Sequence, residues 1–290
     1  MILQQSLNAL QLGSIYALIA LGYTMVYGVL RLINFAHGDI FMVGSYAALF
    51  LAAYCRMPFA VIVPLTFAAI ALLGVAIERL AYRPLRNAPR VSAVITALSV
   101  GLFLETITLA VVGPEPRKFP ALVGYRTFAA GAFAASNVQL MIIATSAGLM
   151  AALELFVAKT RTGMAMRALS WDKTYAPLLG INIDAIVSLT FALGTGLAAV
   201  AGIFVGLAYP VIDPYMGIVV GWKAFVSAVV GGIGSIKGAV AGGFILGAVE
   251  IVSAAFLPSS YKDMIVFGLL LAILLVRPSG LFGMPVQKKV

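Results

Sequence analysis

An all-α polytopic bundle of transmembrane helices is the fold class this sequence predicts, and three observations predict it. Of 290 residues, 62% are hydrophobic and only 10% charged, against roughly half and a quarter in soluble domains. The apolar residues gather into stretches of about twenty, the length that crosses a bilayer as a helix. No ten-residue alternation of a membrane β-barrel is visible, and in lipid each segment must satisfy its own backbone groups. Helices are therefore the spans, in one transmembrane domain over residues 1–290, with lipid as its surroundings.

The mean hydropathy of +1.08 resolves into about eight candidate spans: 7–30, 38–55, 59–80, 91–113, 138–157, 185–208, 239–257 and 262–276. The first basic residue is Arg31, so residues 1–30 lack a charged leader and read as a retained span. A shorter apolar piece, 222–233, is too brief to cross and predicts a broken or re-entrant glycine-rich segment.

Charge sets orientation. Arg79, Arg83, Arg86 and Arg90 crowd one loop; Lys159, Arg161, Arg167 and Lys173 crowd another; Arg277, Lys288 and Lys289 follow the last span. Alternating spans put the first two on one side, and the third joins them where the 222–233 piece borrows enough from its neighbours to cross; the positive-inside rule assigns that side to the cytoplasm, with the N-terminus outside and the C-terminus inside. Arg56, Arg117, Lys118, Arg126, Lys223 and Lys262 are left for the other side. The net charge of +9 follows from such loops; no basic stripe with interleaved aromatics points to nucleic acid.

Thirteen of the 29 glycines lie between 194 and 247, which marks that half for close packing. Gly194, Ala198, Gly202 and Gly206 recur every fourth residue and form one small-residue stripe. Gly238 with Gly242, Gly243 with Gly247, and Gly44–Ala48–Ala52 do likewise. Small residues let helix backbones approach where lipid supplies no drive for association.

Between the fifth and sixth long spans lies a polar island, about 158–184. Met164, Ala168, Trp171 and Tyr175 are spaced by four, three and four and fall on one helical face. Pro177 disfavours helix at Ala176, so a short amphipathic helix is predicted over 163–176, with Asp184 capping the next span. It reads either as an interfacial anchor or as a helix offered to a soluble partner.

Four segments carry a resemblance: "TGMAMRALSWDKTYAPLLGIN", "GSIYALIALGYTMVYGVLRLINFAHGDIFMVGSY", "FVSAVVGGIGSIKGAVAGGFILGAVE" and "RPSGLFG". Together they resemble, across essentially the whole chain, the permeases of branched-chain amino acid ABC transporters, and the length is similar to the smaller permease subunit. The resemblance implies a bacterial inner-membrane importer with a second permease, two cytoplasmic ATPase subunits and a periplasmic substrate-binding protein. The island becomes the ATPase coupling loop, with Gly163, Met164, Arg167, Ala168, Trp171, Asp172, Tyr175 and Gly180 as its coupling residues. The chain would be no enzyme and would hold no cofactor.

The residues agree with that last expectation. No G-x-x-x-x-G-K-[ST] occurs, and "GGIGSIKG" lacks the Gly-Lys pair a phosphate loop needs. One cysteine, Cys55, excludes an internal disulfide, and one histidine, His37, disfavours a metal cluster. His37 and Asp39 in "INFAHGD" read as the junction between two spans rather than as a proton relay. Glu105 and Glu250 fall inside spans, where a carboxylate costs at least ~2.5 kcal/mol and must face the bundle interior. Each reads as a helix-packing residue or a group lining the pathway, as do Gly232, Gly234 and Ser235 of the glycine-rich element. The rival functions are the same importer class carrying urea, amides or other amino acids, and an ion-coupled secondary transporter. The latter needs more paired acids or histidines than this chain shows.

Overall fold

The computed structural model describes residues 2–86, 88–130 and 133–283. Among these, ten α-helices make a bundle: α1 (Ile2–Leu30), α2 (His37–Ala53), α3 (Phe59–Ile77), α4 (Arg90–Val112), α5 (Asn137–Lys159), α6 (Arg161–Trp171), α7 (Ile183–Ala208), α8 (Met216–Gly231), α9 (Ile236–Phe256) and α10 (Lys262–Val276). Six are long and apolar enough to cross a membrane, the second of them counted with the wider and tighter turns that extend α3 to Leu85. Lys288 and Lys289 lie outside the described residues. Four short strands form two antiparallel ribbons: β1 (Arg117–Lys118) with β4 (Val211–Ile212), and β2 (Thr127–Ala130) with β3 (Phe133–Ser136).

Helix starts follow local chemistry. Ser136 and Gln139 form a reciprocal capping box on α5, and the side chains of Thr160, Asn182 and Ser235 accept the free amides that open α6, α7 and α9. Asp184 was expected to cap α7; the cap is Asn182. Asp184 stands inside the first turn and binds Arg83 and Arg86 instead.

The core runs along α1 and α7. From Leu12 through Val26, α1 is buried on every side, as befits a helix apolar all round. Outward faces of α4, α5 and α10 carry exposed Leu102, Phe103, Leu140, Leu155, Leu271 and Leu275. Such faces suit lipid or a neighbouring subunit.

The helices α1–α4 and α7–α10 repeat one arrangement in opposite directions. Helix α1 packs on α9 and α8 as α7 packs on α3 and α2. Helix α2 meets α3 and α4 as α8 meets α9 and α10, and across the repeat α1 touches α7 while α2 touches α8. Two glycine pairs meet reciprocally. A Cβ on Gly22 would stand 2.8 Å from the Gly194 carbonyl oxygen, and one on Gly194 3.2 Å from that of Gly22. For Gly38 and Gly217 the same distances are 2.3 and 2.7 Å. Inverted repeats with broken helices at their interface characterise many membrane transporters.

Both breaks lie within the bundle. The His37 ring occupies the space a Gly22 Cβ would take, and Gly22 is eight residues, roughly 12 Å, above the end of α1. Residues 31–36 therefore turn back inside before α2 begins, held by buried Asn34, which accepts 2.6 Å from the Tyr82 hydroxyl. Helix α8 begins beside Gly38 and departs the other way. Residues 222–231 of the piece expected as a broken or re-entrant segment form the larger, C-terminal part of this 16-residue helix, too short to count among the six long spans. The interruption is at its N-terminal end, where the Gly38–Gly217 crossing leaves no room for a continuous span.

Candidate functional site

The polar island becomes two elements. Helix α6 is a short amphipathic rod bound to the bundle through Gly163, Met166 and Leu169, which are buried. A Cβ on Gly163 would lie 2.3 Å from the Val157 carbonyl oxygen, so glycine is what permits the sharp turn from α5 into α6. The opposite face carries Met164 (61% exposed) and Trp171 (78% exposed), with Ala168 partly covered between them.

The helix was expected to run to 176; it stops at Trp171. The Asp172 carboxylate accepts 2.7 Å from the Thr174 amide, a local turn that competes with helix continuation. Tyr175 therefore leaves the Met164–Trp171 face. It remains exposed at the head of a 3₁₀ turn, Ala176–Leu179, whose end Gly180 closes in the left-handed region at φ 73°.

Arg167 does not reach outward. Its guanidinium donates to the carbonyls of Val157 and Ala158 and satisfies the end of α5. Lys173 donates 2.5 Å to the Leu30 carbonyl at the end of α1, and Arg31 donates 3.3 Å to that of Ser170. The loop thus grips the ends of α5 and α1. Beside it opens a cleft of about 1410 Å³, bordered by Arg31, Arg83, Arg86, Trp171, Lys173 and Asp184.

Glu250 is buried and fully engaged. It accepts 2.6 Å from the Tyr16 hydroxyl of α1 and pairs at 2.9 Å with Lys223 of α8, which also reaches Asp263 of α10 at 2.9 Å. This cluster joins four helices. Lys223, expected among the charges of the outer side, is 7% exposed inside α8. Glu250→Gln keeps an acceptor for Tyr16 and leaves Lys223 its Asp263 partner, so a loss of about 1–2 kcal/mol in stability is expected with transport preserved. Glu250→Leu strands the buried Tyr16 hydroxyl and leaves Lys223 with Asp263 alone, and should cost about 3–5 kcal/mol. Thermal melting of the detergent-solubilised protein beside uptake measures both, and a Gln variant that melts normally but fails to transport would assign the carboxylate a direct role.

Glu78 and Glu154 each have a basic partner. Glu78 binds Arg86 and accepts 2.7 Å from Ser188, and Glu154 meets Lys237 at 3.5 Å. Gly232, Gly234 and Ser235 make the turn from α8 to α9. The first two have positive φ, and the Ser235 hydroxyl accepts 3.1 Å from the Gly238 amide. The "RPSGLFG" segment returns here: the amides of Leu281 and Phe282 donate to the Val230 and Gly231 carbonyls at the end of α8.

The stripe Gly194–Ala198–Gly202–Gly206 is buried along α7. Gly194 faces Gly22, Gly202 faces Phe41 and Ser45 of α2, and Gly206 faces Phe119. In α9 the glycines divide: Gly238 and Gly242 lie on α8, Gly243 and Gly247 on α1.

Asp39 and Glu105 differ from Glu250. They share a cavity of about 190 Å³ with Tyr23, Phe35, Gly217 and Trp222, and among the described residues no cation pairs with either carboxylate. His37, two residues before Asp39, does not line this cavity and packs against Tyr23 with ring centroids 4.7 Å apart.

Residues 5–274 match the protein family described as branched-chain amino acid transport system / permease component. The chain is 43% identical over 99% of its length, and 97% of the relative, to the high-affinity branched-chain amino acid transport system permease protein LivH of Salmonella typhimurium. It is 42% identical, over 99% of its length, to the corresponding BraD protein of Pseudomonas aeruginosa, of which it covers 98%. A probable branched-chain amino acid transport permease of Methanocaldococcus jannaschii is 30% identical over 97% of the chain and 92% of the relative. No solved structure matches.

Proposed function

The chain belongs to the permease-component family of branched-chain amino acid transport systems, and on that premise we propose how its geometry serves import. It is the permease subunit of an ABC importer for branched-chain amino acids. It forms the pathway with a second permease and receives solute from a periplasmic binding protein. Two ATPases work from the cytoplasm, and the hydrolytic activity is theirs. The α6 face is cytoplasmic: Arg79, Arg83, Arg86, Lys159, Arg161, Arg167 and Lys237 lie at the helix ends on that side, in line with the positive-inside rule.

The observation that carries the coupling assignment is the split character of α6. One face is fixed to the bundle, while the other presents Met164 and Trp171, both exposed among the described residues. An apolar helix face of this kind fits a groove on a soluble partner. Movement imposed there passes through Arg167 to α5, and through Lys173 and Arg31 to α1, the most enclosed helix of the bundle. ATP then shifts the balance between outward- and inward-open states through contacts that differ between them.

The test is reconstitution. In proteoliposomes the chain alone is expected to hydrolyse no ATP and to take up no leucine. Adding the second permease, the ATPases and the binding protein should produce uptake that requires ATP. Gradient-driven leucine uptake by the chain alone would overturn the importer reading in favour of an ion-coupled carrier.

A further inference from the structure

We propose that the cavity between α2, α4 and α8 receives the α-ammonium group of the amino acid in transit, with Asp39 and Glu105 as its counter-charges. The proposal rests on the transport reading above. Asp39 is 8% exposed, and its Oδ1 makes no hydrogen bond among the described residues. It is wedged between backbones: a Cβ on Gly101 would stand 2.4 Å from its Oδ2, and one on Gly217 2.9 Å from its Oδ1. Glu105 lies one turn beyond Gly101 on the same wall of α4. The half-buried Glu105 also lacks a basic partner among the described residues, whereas the other carboxylates within the candidate spans, Glu78, Glu154, Asp184 and Glu250, each have one.

Two carboxylates without a counter-charge at a membrane break are costly to keep, and such groups mark solute or ion routes. The remaining walls suit an organic cation. Tyr23, Phe35 and Trp222 line the same space, with the Phe35 and Trp222 rings 5.6 Å apart, and aromatic faces attract ammonium groups. A hard metal ion takes six or more oxygen ligands, far more than these two side chains offer. The cavity opens sideways between exposed Leu98 and Leu102 of α4 and Ile218 and Trp222 of α8. Carboxylates do not open onto hydrocarbon, so this is the side that meets the second permease and the pathway. The cavity also sits where the inverted repeats meet, beside the Gly38–Gly217 crossing, the place where transporters with broken helices bind their solutes.

The experiment uses the complete importer in proteoliposomes, with radiolabelled leucine supplied on the binding protein. ATP-dependent uptake by the unaltered importer is the first arm, and its absence would sink the transport reading rather than the cavity. In the second arm, Asp39→Asn and Glu105→Gln are expected to retain the ATPases and hydrolyse ATP, while leucine uptake falls at least about tenfold. Glu105→Asp, which keeps the charge on a shorter side chain, should stay within about threefold of the unaltered importer. Uptake within about twofold in Glu105→Gln, or equal damage by Glu105→Asp and Glu105→Gln, overturns the proposal, because a packing role responds to shape and not to charge. If Asp39→Asn fails to assemble, the half-buried Glu105 decides alone.

Discussion

Trp171→Ala is expected to yield a permease that inserts and folds normally yet neither retains its ATPases nor imports leucine. Trp171 is 78% exposed at the end of α6, so truncating it takes little from this chain's own packing. A large aromatic seated in a partner's groove commonly contributes ~2 kcal/mol or more, which is a loss of about thirtyfold in affinity. Met164, on the same exposed face, should behave alike with a smaller effect. Arg167→Glu is a different experiment. A carboxylate in place of the guanidinium would confront the Val157 and Ala158 carbonyls, so that variant displaces α6 from α5 and loses coupling through misplacement. Trp171→Ala is the cleaner test, read by co-purification of the ATPases beside uptake. Normal uptake with the ATPases still bound would make α6 a membrane-surface anchor.

Helices in this chain were legible because a bilayer imposes one length and one composition on them. Apolar windows therefore found α1, α3, α4, α5, α7, α9 and α10 close to their observed bounds. The 38–55 window placed α2 as well, which begins at His37. Where α8 begins was not legible. That start is set by glycines of different helices meeting, Gly38 with Gly217, and hydropathy averages over such contacts. The end of α6 was misplaced for a local reason, since the Asp172 side chain turned the backbone before Pro177 was reached. Glu250 was legible as a residue needing a partner but not as one already satisfied. Its cation, Lys223, lies in a segment too short to read as a span, and Tyr16 is distant in sequence. The same blindness concealed the contrast with Asp39 and Glu105, which have no cation among the described residues, a fact visible only in the folded chain.

Gly202→Leu is expected to abolish assembly altogether, and the argument is geometric. A Cβ at this position would lie 2.6 Å from the Phe41 carbonyl oxygen and 2.5 Å from the Ser45 hydroxyl. The first of these atoms is backbone of α2, so no rotamer change relieves the clash; α2 and α7 must separate. Overpacking a close contact costs about 1–3 kcal/mol even where side chains can yield, and here a leucine adds three further carbons in the same direction. Separation would also draw α2 away from the Gly38–Gly217 crossing on which both broken helices depend. Gly148→Leu is the matched control. It is also a helical glycine in a span, but among the described residues nothing lies within 4 Å of where its Cβ would be, and gaining leucine for glycine in a helix is favourable. The expected outcome is loss of folded, partner-bound permease for Gly202→Leu and normal yield for Gly148→Leu, read by size-exclusion chromatography of the solubilised complex. Because lipid gives helices no hydrophobic reason to associate, the closeness of backbones along this stripe is itself the holding force. A Gly202→Leu variant that assembled and transported normally would mean that α2 and α7 are held by something other than their glycine contact.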